Sequence, residues 1–218
     1  MDIRIDHFMY AVPSLDEGLI WASDTFGVDA AYGGEHVGLG TRNALMSLGN
    51  AYLEIIAPDP AQPIQGTFGE RLAGLSDGGL VTWCAEGELN RLVSQLAELE
   101  VATAGPNKTK RQTSEGNTLE WELLFPSKSP FGGCMPFFID WLDCKNPKDG
   151  NPVAGEFKSL SMSSADSGRL QKILKKIGLK VTVTEGLSSI SVVIEGNKGL
   201  VSLSSTSETS EETLGSIR

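Results

Sequence analysis

One order of segments returns three times along this chain, and it constrains the fold more than any other feature. An alternating apolar run is followed by an amphipathic helix and then by three further alternating runs. Side chains change faces at every step of a strand but return to one face every turn of a helix, so the two patterns separate on inspection. In the first copy, Ile3 to Val12 puts Ile3, Ile5, His7 and Met9 on one face. Pro13 ends that run, and Ser14 to Glu17 has the sequence of a capping box. A helix is predicted from Leu15 to Phe26, closed by Gly27. Val28 to Tyr32 is a short strand leading into a glycine-rich turn that bears His36, and the runs Ala44 to Leu48 and Tyr52 to Ala57 form a hairpin across Gly49-Asn50.

The second copy starts at Leu80 to Ala85, continues with a helical stripe from Glu88 to Leu99, and ends with strands over Val101 to Thr113 (broken near Pro106-Asn107), Thr118 to Phe125 and Met135 to Leu142. The third runs from Phe157 to Met162, through a helix at Ser167 to Ile177 closed by Gly178, to strands at Lys180 to Thr184, Ile190 to Glu195 and Leu200 to Ser204. This is an α+β chain of tandem βαβββ modules: 1–60, a connector 61–78, 79–145, a linker 146–155, and a third βαβββ-like unit 156–205. The tail 206–218 is rich in Ser, Thr and Glu and is expected to be mobile.

With 40% hydrophobic and 21% charged residues, most of the chain should fold into a core. A formal net charge of −10 argues against a nucleic-acid backbone as partner, since a basic face is the footprint of such binding. No apolar run is long enough to span a bilayer, and the start MDIRIDHF has no signal-peptide pattern. The three cysteines, Cys84, Cys134 and Cys144, are an odd number without paired short spacing, as expected of reduced thiols in a cytoplasmic protein.

Among the alternating runs, Glu54 is the residue out of place. It shares a face with Tyr52 and Ile56, so it either points to water from an edge strand or looks into a cavity. His7, on the first strand, favours the cavity. Gly38 and Gly40 do not open a helix after a strand, so they are not a phosphate loop.

Asp6-His7, the GG-x-H-x-G-x-GT-x-N run from Gly33 to Asn43, and Tyr52-Leu53-Glu54 give the first module its character. Arg111, Leu119 with Trp121, and PFFIDW from Pro136 to Trp141 continue it. In these residues and in its tandem βαβββ order the chain resembles the vicinal oxygen chelate superfamily (glyoxalase, bleomycin resistance proteins, dioxygenases), and within it the bacterial glyoxalase-like domain proteins. The resemblance implies a cupped mixed sheet enclosing a metal or small ligand, with metal ligands from the first and fourth strands of each module. Carried over by position, these are His7, Glu54 and Asp140, with His36 as an alternative ligand. The first strand of the second module offers Leu80, Val81 and Thr82 where a further ligand belongs. His7, Glu54 and His36 would form a two-histidine, one-carboxylate set suited to Zn, Mn, Ni or Fe. Such a site implies a lyase or isomerase in which Glu54 and His7 are catalytic, a dioxygenase fitting less well.

The alternative is a metal-free small-molecule binder. Met9, Tyr52, Trp83, Trp121, Phe138 and Trp141 would sandwich a flat ligand, and His36, Thr41, Asn43, Arg111 and Asp140 would orient it. Arg111, beside Lys108 and Lys110, reads equally well as a solvated basic edge. The third unit carries no histidine, and its apolar face is expected to cover a sheet edge or to form a homodimer.

Overall fold

The computed structural model describes residues 2–112, 118–127 and 129–209, the side chains of 111 and 112 excepted. The first module comprises β1 (Arg4–Ala11), α1 (Leu15–Phe26), β2 (Ala31–His36), β3 (Thr41–Ser47) and β4 (Tyr52–Pro58). The second comprises β5 (Gly79–Glu86), α3 (Leu89–Glu98), β6 (Thr103–Gln112), β7 (Thr118–Pro126) and β8 (Phe137–Asp140), after a connector helix α2 (Phe68–Ala73). All eight strands form one curled sheet in the order β2-β3-β4-β1-β5-β8-β7-β6. Each module pairs its first strand with its last in parallel, and β1 meets β5 antiparallel at the centre. Residues that start each module therefore lie side by side, with His7 opposite Cys84.

Both faces of the sheet are buried, by different means. On one, Phe8, Leu53, Ile55, Trp83, Leu124 and Phe138 pack under α1 and α3. On the other, which we call the cup, Met9, Tyr52, Ile56, Cys84, Phe137 and Trp141 gather beneath Phe68 and Leu72 of α2. Removing a side chain such as Trp83 or Leu53 from water contributes about 1.5–3 kcal/mol each.

The third unit is β9 (Gly155–Ser164), α4 (Ser167–Ile177), β10 (Thr182–Glu185), β11 (Ser189–Gly196) and β12 (Gly199–Ser204). Its element order is the expected one, but its pairing differs: β10 lies parallel beside β9, and the sheet runs β10-β9-β11-β12. Leu170, Ile173 and Leu174 of α4 and Ile190, Val192 and Leu203 of its strands join the same core as the helix-covered face of the large sheet. The apolar face that motivated a homodimer through this unit is thus covered within the chain.

Several local expectations change. His36 is the last residue of β2, paired with Thr41, and the turn begins after it. Ser14 sits at the N-cap of α1 without a side-chain cap bond, so the capping box is not made, whereas Gly27 closes the helix at φ 75° as the sequence requires. β6 is continuous, absorbing Pro106 in a register shift between Ala104 and Asn107. The connector, expected to be a Pro/Gly-rich linker, contains the helix α2. The first part of the tail is anchored: Thr209 is fully buried and Glu208 Oε2 accepts the Ser76 amide at 2.8 Å. The remainder of the tail, 210–218, lies outside the described residues.

Candidate functional site

A register shift between Ile5 and His7 decides the geometry of the site. Regular alternation would send Asp6 and His7 to opposite faces, but a bulge frees Asp6 to turn towards its neighbour. Both are buried, and Asp6 Oδ1 lies 2.7 Å from His7 Nδ1. The other carboxylate oxygen, Oδ2, accepts Trp141 Nε1 at 3.1 Å and Asn146 Nδ2 at 2.6 Å. Asn146 is oriented in turn, because its Oδ1 accepts the Lys148 amide at 3.0 Å and its Nδ2 also reaches Glu86. Burial alone would raise the Asp6 carboxyl, but the bond and charge of His7, with the Trp141 and Asn146 bonds, outweigh it and hold it below the ordinary range. As a carboxylate Asp6 only accepts, so the proton of this pair sits on His7 Nδ1.

His7 Nε2 then faces Glu54 Oε2 at 3.4 Å. Glu54, 5% exposed, is held on its other side by Asn43, whose Nδ2 donates to Oε1 at 2.7 Å. The same Asn43 amide lies 3.3 Å from His36 Nε2, which makes that nitrogen an acceptor and leaves His36 Nδ1 to donate to Thr41 Oγ1 at 3.0 Å. His36 Nε2 is 3.7 Å from Glu54 Oε1. Two imidazole Nε2 atoms therefore flank the two oxygens of one carboxylate. Acceptors this close repel unless a proton or cation lies between them. The His36 side chain is 26% exposed, so the network opens to solvent on that side.

Aromatic rings enclose the other side. Tyr52 stacks on His7 at 4.5 Å and Phe137 meets its edge at 5.4 Å. Phe125 stacks on Phe137 at 5.4 Å, and Trp121 lies against Trp141 at 5.6 Å.

His7, His36, Thr41, Asn43, Tyr52 and Glu54 are brought together in this network, and Trp121 and Trp141 stand in the cup. Three assignments are corrected, those of Trp83, Phe138 and Asp140. Phe138 belongs to the helix-covered face with Trp83, and Phe137 takes the expected position in the cup. Asp140 alternates with Phe137 and Ile139, so it turns away from the cup, where its Oδ1 accepts the Leu142 amide at 2.9 Å. The set His7, Glu54 and Asp140 is not assembled. Arg111 pairs with Leu119 along β6 and β7, but its side chain lies outside the described residues. Asp6 and Asn146 were missed as parts of the site. The Asp-His dipeptide was visible, but nothing in the alternation revealed the bulge that unites the pair.

Among the described residues, one group of three metal-type donors falls within 4.8 Å: Asp6, His7 and Cys84. Its chemistry does not suit an ion. Both Asp6 oxygens already accept strong donors, so an ion there would have to displace His7, Trp141 or Asn146 from them. A second donor set, His7 Nε2, Glu54 and His36 Nε2, lies on the far side of the His7 ring; its atoms do not all fall within 4.8 Å of one another, so the two rings would have to draw in around Glu54 to share one ion. Asp6 and Thr41 orient the two rings from behind, as outer partners of metal-bound histidines do.

Over residues 5–178 the sequence matches a family described as a glyoxalase-like domain. No curated protein matches it. Among solved structures, a hypothetical protein from Staphylococcus aureus aligns with TM-score 0.65 at 17% identity, covering 93% of this chain and 88% of its own. Methylmalonyl-CoA epimerase from Streptomyces coelicolor aligns at TM-score 0.49 and 17% identity over 66% of this chain and 98% of its own. The epimerase from Mycobacterium tuberculosis reaches TM-score 0.41 at 18% identity, over 62% and 85%. The Staphylococcus protein shares the fold, and at such identity the likeness extends to the fold alone. No helix among the described residues is long and apolar enough to cross a membrane.

Proposed function

This chain belongs to the glyoxalase-like domain family, and on that premise we propose that its cup binds a small, oxygen-rich or aromatic metabolite beside a divalent cation held by His7, Glu54 and His36. The observation that carries this reading is the convergence of His7 Nε2 and His36 Nε2 on the two oxygens of buried Glu54. The surrounding charge supports it: three carboxylates, Asp6, Glu54 and Glu86, lie close enough to Cys84 to add to the effect of burial, the larger cause, in raising its thiol. Zn, Mn, Ni and Fe all suit a set of two imidazoles and a carboxylate. Such an ion, when bound, stabilises negative charge developing on chelating substrate oxygens. The chain's own groups have distinct tasks. Glu54 accepts or returns a proton at its Oε2, Asn43 steadies its Oε1, and Tyr52, Phe137 and Trp121 exclude water and present flat apolar surface to the ligand. Proton movement next to a stabilised oxyanion is the chemistry of a lyase or isomerase.

A second reading, a metal-free sequestering protein, is favoured by the aromatic wall alone. Cys84, Cys134 and Cys144 form no disulfide, which suits a working site in the reducing cytoplasm. Metal analysis of purified protein and of His7→Ala tests the first reading. Stoichiometric metal lost on substitution supports it. No metal uptake from excess Zn, Mn, Ni or Fe, with stabilisation by aromatic compounds that Trp121→Ala abolishes, would establish the binder instead.

A further inference from the structure

The geometry points to Asp6 as a positioning residue that fixes the tautomer of His7, with Trp141 and Asn146 holding Asp6 to that task. The inference rests on the reading of His7 and Glu54 as the site and explains how the second module serves a site made in the first. The resemblance placed a further ligand on β5 and one on β8, and neither strand supplies one to the network. What arrives from that half of the chain is a pair of hydrogen-bond donors, Trp141 just past β8 and Asn146 in the linker.

Both are donors to Oδ2 and cannot reverse. The indole Nε1–H has no acceptor form, and the Asn146 amide is turned by its own bond to the Lys148 amide. Oδ2 must therefore stay an acceptor of two protons, and Oδ1 is left to face His7 Nδ1 at 2.7 Å. His7 in consequence keeps its proton on Nδ1 and presents the Nε2 lone pair to Glu54. With the opposite tautomer, an Nε2–H would donate to Glu54, and the position between the two groups would be closed to a cation.

Asp6→Asn makes this testable, because an amide has one oxygen where the carboxylate has two. Two fixed donors claim that oxygen, so the new NH2 group is driven to the His7 side, where it can only donate. His7 Nδ1 must then accept, and its proton moves to Nε2. In the metal-free, chelator-treated protein, 15N-histidine NMR distinguishes a pyrrole-type from a pyridine-type nitrogen at each ring position. The chain has two histidines, and His36→Gln assigns them. The expected result is Nδ1–H in the wild type and Nε2–H in Asp6→Asn, with Mn(II) affinity about 10- to 100-fold weaker in the variant. Nε2–H in the wild type, or an unchanged tautomer in a folded Asp6→Asn protein, overturns the inference. The wild-type measurement needs no variant, so it remains decisive if Asp6→Asn does not fold. Failure to bind any metal alongside an observed Nδ1–H counts against the proposed function and leaves the positioning role standing.

Discussion

Gly33→Ala reaches the site through a single contact. A Cβ at position 33 would lie 2.2 Å from Asn43 Oδ1, 3.0 Å from its Cγ and 3.1 Å from Leu45 Cγ. The amide is hemmed in, with its buried Oδ1 lacking a hydrogen-bond partner and its Nδ2 bonded to Glu54 at 2.7 Å. Relieving the clash moves the amide by about 1 Å, which stretches that bond past the limit of a hydrogen bond. Losing a bond to a charged group costs about 1.5–3 kcal/mol, and overpacking a tight site costs about 1–3 kcal/mol, partly relieved because β2 is an edge strand. We expect about 3 kcal/mol in all. Urea unfolding of Gly33→Ala, Asn43→Ala and the double variant gives the answer as a cycle. If the effect travels through Asn43, the alanine at 33 costs less than about 1 kcal/mol once Asn43 is already truncated. Additive costs would refute the reasoning, since β2 would then be yielding without disturbing the amide.

Two further outcomes follow from burial. Of the three thiols, Cys144 is partly exposed while Cys84 and Cys134 are buried, so a thiol reagent should modify Cys144 rapidly in the native protein and the other two only on unfolding. The Tyr10 hydroxyl is pushed above its ordinary value of 10.0, by burial first and by the Asp77 charge second. A group that holds its proton more tightly when folded contributes stability that is complete below that value and is lost as pH rises through the folded pKa. Absorbance titration should find Tyr10 ionising after a free tyrosine, and Asp77→Asn should bring it only part of the way back, because burial is the larger cause.

What the sequence disclosed depended on whether the signal was local. α1 and α4 were legible end to end because Gly27 and Gly178, both at positive φ, close them in a conformation that other residues resist. The hairpin of β3 and β4 followed from Gly49-Asn50, and the facing of Glu54 from its partners Tyr52 and Ile56. The β8 segment misled for a physical reason. Phe137, Phe138 and Ile139 are apolar in unbroken series because both faces of the sheet are buried there, so alternation carries no phase, and Phe138 and Asp140 were set on the wrong side. The different pairing of the third unit was equally hidden, since one order of elements is compatible with β10 on either side of β9. The Asp6 bulge, on which the site turns, is a tertiary outcome of β1 meeting β5.

The most direct measurement is calorimetric titration of the chelator-treated protein with Mn(II) and Zn(II), repeated on Glu54→Gln, His36→Gln and Asp140→Asn. The account predicts one site per chain in the wild type, lost or strongly weakened in the first two variants and intact in Asp140→Asn, where the new amide can still accept the Leu142 amide. Wild-type protein that takes up neither ion, or binding that survives in Glu54→Gln and disappears in Asp140→Asn, would contradict it.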